Sequence, residues 1–118
     1  VGVDQLHVGT VVGKMSEPRE EVLRNVDALK QPMHGMKPVL PVASGGLHPG
    51  LVPELIGIFG IDFVIQAGGG IHGHPGGTIA GARAMRQAVS ATLEGPPLGD
   101  YAQEHAELAA ALRTWSGR

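Results

Sequence analysis

Cysteine is absent from the 118 residues of this chain, which excludes disulfides and any thiolate-bound metal. That composition suits a reducing cytoplasm. Aromatics are scarce, with one Trp, one Tyr and two Phe. Positive charge is not gathered anywhere. Lys14, Arg19, Lys30, Lys37, Arg83 and Arg86 stand apart, and the net charge is −2. A nucleic-acid surface needs clustered cations with aromatics among them, so that class is excluded. Long apolar runs are lacking too. The longest such stretch, LVPELIGIFGIDFVI, is cut by Pro53, Glu54 and Asp62 and fails as a membrane span. The opening residues do not read as a secretory leader. They also lack a methionine, since the sequence starts VGVDQ, and a piece of something longer is expected. The length allows one small domain with a modest core.

What is abundant is glycine, 19 residues of it. It falls between periodic segments. DQLHVGTVV, residues 4–12, reads as a strand with Leu6 and Val8 on one face and His7 on the other. After GKMSEP, Ser16 can cap a helix with Pro18 in its first turn. Val22, Leu23, Val26 and Leu29 then recur at helical spacing. KPVLPVA, residues 37–43, is a second strand, and Val52, Leu55, Ile56 and Phe59 mark a second helix. IDFVIQA is a third strand, followed by GGGIHGHPGG as a loop. Thr78 opens a long helix expected to bury Ile79, Ala82, Met85, Val89 and Leu93. GPPLG is a linker, and Tyr101, His105, Leu108, Leu112 and Trp115 suggest one last amphipathic helix. Alternation of this kind predicts parallel strands with right-handed crossovers, an α/β fold. Functional loops in such folds follow the strands, and here those loops are GKMSEP, SGGLHPG and GGGIHGHPGG.

Bare glycine backbone lets N–H groups approach an anion such as phosphate. The plain alternative is that these glycines only make tight turns, and spacing alone leaves both readings open. Gly68, Gly70 and Gly73 also satisfy G-x-G-x-x-G after a strand, the dinucleotide fingerprint. Pro75 interrupts before a helix pattern begins, and Glu94 falls on a helix end rather than a strand, so that reading is set aside. His72 and His74, with His7, raise the question of a metal, yet no well-placed carboxylate or cysteine completes a ligand set. Loop structure is the better reading for the first two, and a surface place for His34 and His105. His7, opposed to Leu6 and Val8, reads either as a core histidine or as one pointing into a barrel. Lys14, between Gly13 and Met15, is either a solvated lysine or a cation on a loop that closes over an anionic substrate.

HVGTVVGKM, PVASGGLHPG and QAGGGIHGHPGG, in this order and spacing, resemble the large subunit of ribulose-1,5-bisphosphate carboxylase/oxygenase. GVDQLHVGTVVGKM and SGGLHPGLVPEL are most similar to its archaeal-type, form III members, which the family links to nucleoside monophosphate (AMP) breakdown. The resemblance covers nearly the whole chain and weakens after Gly95. It implies a partial (β/α)8 TIM barrel, its sixth to eighth strands, with about three parallel βα units of the eight and a C-terminal helix. Residues 1–95 would be those βα units, and 96–118 a C-terminal helical extension.

The resemblance also implies roles. His7 would contact the C5 phosphate of ribulose 1,5-bisphosphate. Lys14 would be catalytic, closing over the substrate and stabilising the carboxylate formed when CO2 adds to the enediolate. Ser44 would bind a sugar hydroxyl. Gly46, Gly68 and Gly69 would donate to the C1 phosphate, with Gly45 keeping that turn open. Two residues depart from relatives: Ser16 stands where many have an acid-glycine pair, and Ala67 where plant enzymes have phenylalanine. Magnesium belongs to the full-length family, but its ligands, a carboxylated lysine and two carboxylates, lie on strands this chain lacks, as does the enolising lysine. No metal ligand is therefore assigned here. Implied partners are the remaining barrel strands, an N-terminal domain from the parent or a partner subunit, and further copies in a homo-oligomer. Two other readings are a carboxylase-like paralogue performing enolisation or isomerisation, and a non-catalytic phosphate-binding partial barrel that self-assembles. Paralogues tend to lose the loop lysine and part of the phosphate site, whereas Lys14, Ser44, Gly46, Gly68 and Gly69 are all present.

Overall fold

A computed structural model describes residues 2–9 and 18–116. Three short parallel strands form its sheet: β1 (Gln5–His7), β2 (Leu40–Ser44) and β3 (Val64–Gln66), in the order β1-β2-β3. Gln5 pairs with Leu40 and His7 with Val42, while Val42 pairs with Val64 and Ser44 with Gln66. Parallel register puts partners on one face. Gln5, His7, Leu40, Val42, Ser44, Val64 and Gln66 therefore share one side. Val8, Ala43 and Ile65 lie on the other.

Helices pack on that second side. α1 (Arg19–Lys30) starts after Pro18, with Glu20 and Glu21 in its first turn and Lys30 in its last, charges that suit the helix dipole. Val22 and Val26, one turn apart, are buried in a cluster with Val8, Ala43, Leu55 and Phe59. Each such valine contributes about 1.5–3 kcal/mol through burial. α2 (Val52–Phe59) follows a 3-10 turn at Pro49–Leu51. Phe59 stacks on Phe63 with ring centroids 5.1 Å apart, and Lys30 Nζ donates to the Phe59 carbonyl at 3.3 Å. The alternation of strands and helices thus gives the expected layer. Leu6 departs from its neighbour Val8: on the edge strand β1 it is 46% exposed.

Three expectations need correction. GGGIHGHPGG is not all loop, for Gly69–His72 form a one-turn helix, α3. α4 (Thr78–Glu94) buries Gly81, Ala84, Met85, Ala88 and Ala91. Of the predicted face, Ile79 is 73% and Leu93 59% exposed, and Ala82 is exposed too. The reason is close packing: α4 runs against α3, where a Cβ on Gly81 would collide with the Ile71 carbonyl oxygen, so small residues face inward. The last predicted helix is two pieces, α5 (Leu98–Tyr101) and α6 (Ala106–Trp115). His105 breaks the run with an extended backbone. Its Nδ1–H donates to the Tyr101 carbonyl at 2.7 Å, and its ring stacks on Tyr101 with centroids 4.0 Å apart.

Ala102 and Leu108 share a core cluster with Val52, Met85 and Ala88, so α6 is packed onto α2 and α4. Among the described residues, no helix is long and apolar enough to cross a membrane.

Candidate functional site

The three strands end side by side, at His7, Ser44 and Gln66. All three side chains lie on the face opposite Val8 and Ala43. His7 Nδ1 and Ser44 Oγ are 3.0 Å apart and share a hydrogen bond. Histidine on the opposite face from Val8 is therefore the inward-pointing alternative, not the core one. Gln66 was not singled out from the sequence. Its signal was a lone amide closing the apolar run FVI.

Beyond Ser44 the chain turns through Gly45 (φ 104°) and Gly46 (φ 66°). Two successive residues in the left-handed region effectively require glycine. Beyond β3 come Gly68, Gly69 and Gly70, and their surroundings differ. A Cβ on Gly68 or Gly69 would meet nothing within 4 Å. A Cβ on Gly70 would collide with the Leu47 carbonyl oxygen. The third glycine thus presses the two loops together, while the first two leave open backbone. Among the described residues, the N–H groups of Gly46, Gly68 and Gly69 donate to no backbone carbonyl. Such groups suit an anion. Lys14 and Ser16 lie outside the described residues, as does the rest of segment 10–17.

His72 and His74 point to different partners. His72 Nδ1 lies 3.0 Å from Thr78 Oγ1. His74, 5% exposed, donates from Nε2 to the Glu107 carbonyl at 2.8 Å and accepts the Gly76 N–H on Nδ1 at 2.9 Å. His72 thus closes α3 rather than lying in a loop, and His74 belongs to the loop that follows it. Among the described residues no group of three or more His, Cys, Asp or Glu side chains could hold a metal ion. These residues do not fit a magnesium ion, whose ligands the resemblance places on other strands. The dinucleotide reading also fails on geometry, since α3 stops after one turn and Glu94 closes α4.

Residues 1–115 match the family described as "Ribulose bisphosphate carboxylase large chain, catalytic domain". The chain belongs to this family. It is 56% identical to the ribulose bisphosphate carboxylase of Pyrococcus furiosus over 98% of its own length and 27% of that protein. Its backbone superposes on the crystal structure of octameric Rubisco from Pyrococcus horikoshii with a TM-score of 0.92, at 55% identity, over 96% of this chain and 27% of that one. A second crystal form of that relative is described as a complex with sulfate ion. A rubisco-like protein from Alicyclobacillus acidocaldarius matches at TM-score 0.90 and 42% identity, over 98% of this chain and 29% of that one. The chain thus spans under a third of the relatives it matches, and its three parallel strands with their helices correspond to part of the Rubisco barrel.

Proposed function

We propose that this chain supplies the phosphate loops and the closing lysine of a ribulose-1,5-bisphosphate carboxylase, the enzyme that adds CO2 to ribulose 1,5-bisphosphate and yields two 3-phosphoglycerates. The observation carrying this reading is the open backbone at Gly68 and Gly69 beside the Ser44–Gly46 turn. Among the described residues, no contact explains why those two positions are glycine. An anion on their N–H groups does.

In this reading Gly46, Gly68 and Gly69 donate to the C1 phosphate and Gly45 keeps the turn open. His7 meets the C5 phosphate, with Ser44 on its ring nitrogen and on a sugar hydroxyl. Lys14 closes over the substrate. Once the enediolate carbon has bonded to CO2, its ammonium stabilises the new carboxylate. The remaining strands, the metal ligands and the enolising base come from chain outside this segment. Residues 96–118 are a helical extension of the same barrel, and the assembly is a cytoplasmic homo-oligomer. The isolated 118 residues are inactive. They also self-associate, because the edges of β1 and β3 and the His7 face are uncovered. Identity of 56% to the Pyrococcus furiosus carboxylase, against 42% to the rubisco-like protein, favours carboxylation over an isomerase paralogue.

The test grafts this segment into the Pyrococcus horikoshii enzyme in place of its counterpart. Lys14→Ala should abolish carboxylation while sparing proton exchange at C3 of the substrate. Losing a charge that stabilises a developing anion costs about 3 kcal/mol or more. Carboxylation surviving within a few-fold would overturn the role of Lys14. Sedimentation of the isolated chain as a well-folded monomer would remove the claim of self-association.

A further inference from the structure

α6 touches both glycine loops, one at each end. Near its start, the Glu107 carbonyl accepts the Nε2–H of His74, from the loop that follows Gly68–Gly70. At its other end Trp115 stacks on His48, from the loop that follows Ser44–Gly46, with centroids 5.3 Å apart and planes 11° from parallel. Gly73 lies under the same indole, since a Cβ there would come 3.2 Å from the Trp115 ring. α6 is itself fixed to α4. Gln87 Oε1 accepts the Leu108 N–H at 3.0 Å, Gln87 Nε2 donates to Glu107 at 3.1 Å, and Arg83 pairs with Glu107 at 3.6 Å.

His74 is more than a loop residue on this geometry. The Gly76 N–H must donate to Nδ1, so the proton sits on Nε2, aimed at α6. Burial makes this bond costly to leave unmade. Two loops that must present N–H groups to one anion need a fixed separation. Gly70 against Leu47 sets their contact, and α6 holds each from behind.

We infer that α6 is a brace for the anion site, with His74 and the His48–Trp115 stack as positioning residues that hold the two glycine loops in register. This rests on the phosphate-loop reading above. It adds that affinity for the phosphate depends on side chains that never touch it.

The experiment uses the same full-length graft and reads KM and kcat for ribulose 1,5-bisphosphate, with inhibition by inorganic phosphate as the anion probe. His74→Asn keeps an acceptor near the Gly76 N–H but does not reach Glu107. Trp115→Leu keeps bulk without the stacking face. Each should raise KM and the inhibition constant for phosphate together by about tenfold, with kcat falling less than about threefold, as expected where binding rather than chemistry is weakened. His74→Gln, which can reach Glu107, and Trp115→Phe, which can stack, should recover most of the loss. A merely structural role would lower the active fraction and so kcat, leaving KM in place. Trp115→Leu is read independently should His74→Asn fail to fold. Gly69→Ala separates the two claims. If it weakens phosphate binding while His74→Asn and Trp115→Leu do not, the brace is wrong and the phosphate loops stand. If Gly69→Ala itself changes nothing, both fall.

Discussion

Gly68 and Gly69 face open space, whereas Gly70 and Gly81 lie against backbone carbonyls. The four look alike in sequence and are bare for opposite reasons. Gly70 and Gly81 are bare because the protein comes close: one lets the β3 loop sit on the Leu47 turn, the other lets α4 sit on α3. Gly68 and Gly69 are bare with nothing near them. A protein keeps a costly residue where a side chain would collide, or where something outside the chain must approach. The first pair belongs to folding, and the second, on the reading proposed above, to binding.

The largest expected effect breaks the packed pair. Gly70→Ala and Gly81→Ala should each destabilise the graft by about 3 kcal/mol, since the added methyl meets rigid backbone rather than a side chain that can swing away. Thermal unfolding checks this. A melting temperature unchanged for both would mean that the loops are not pressed together as described. Binding should suffer as well in Gly70→Ala, because the anion loops would be forced apart.

Next in size is the open pair. Gly69→Ala should leave stability unchanged or slightly higher, as alanine is the better helix former by about 0.5–1 kcal/mol. Affinity for the bisphosphate should nonetheless drop by about tenfold or more, because the added methyl stands where the anion approaches the retained N–H groups. Stability lost with affinity retained would reverse the assignment of these glycines.

This distinction was not legible in the sequence, although much else was. The strand–helix rhythm could be read because Val22 and Val26, or Leu55 and Phe59, recur with the period of one buried helix face. The placing of His7 opposite Val8 followed from strand alternation. α3 was missed because Gly69 and Gly70 have no helical propensity of their own. Packing of Gly70 on Leu47 and of Ile71 on Gly81 imposes that turn. The buried face of α4 departs from the pattern of its large residues because close packing favours small ones. Ile79 and Leu93 are bulky, and for a helix in close contact the alanines win. His48 and Trp115 went unnoticed as a pair, since 67 positions of chain separate them and no local pattern links a loop histidine to a final helix. The loop position left Lys14 as either a solvated lysine or a closing cation, and only the resemblance chose between them. Its loop carries no periodicity that would mark it.

The smallest effect separates the packed side from the open side by acid. Burial pushes the His48 imidazole below its ordinary range. Glu107 is also held below the usual carboxylate range, first by the Gln87 side chain, then by a backbone hydrogen bond at Glu107 itself, with Arg83 adding a weaker pull. Both folded-state values lie under the unfolded ones, so the sign is the same for each. The stability they contribute is present above the unfolded value and lost as pH falls. His48 begins to lose its share below about pH 6.5 and Glu107 below about pH 4.5, the ordinary ranges of these groups. Both sit on α6 or against it, so acid should loosen the brace in two stages before the sheet itself gives way. Melting temperature followed from pH 7.5 downward, with Trp115 fluorescence as the local probe, is the measurement. His48→Gln should flatten the upper stage and Glu107→Gln the lower, each by a modest amount because neither group is deeply buried. Gly69→Ala should leave the curve alone, as no titrating group depends on that open backbone. A Trp115 signal that stays constant until global unfolding, in every variant, would show that α6 is not released separately.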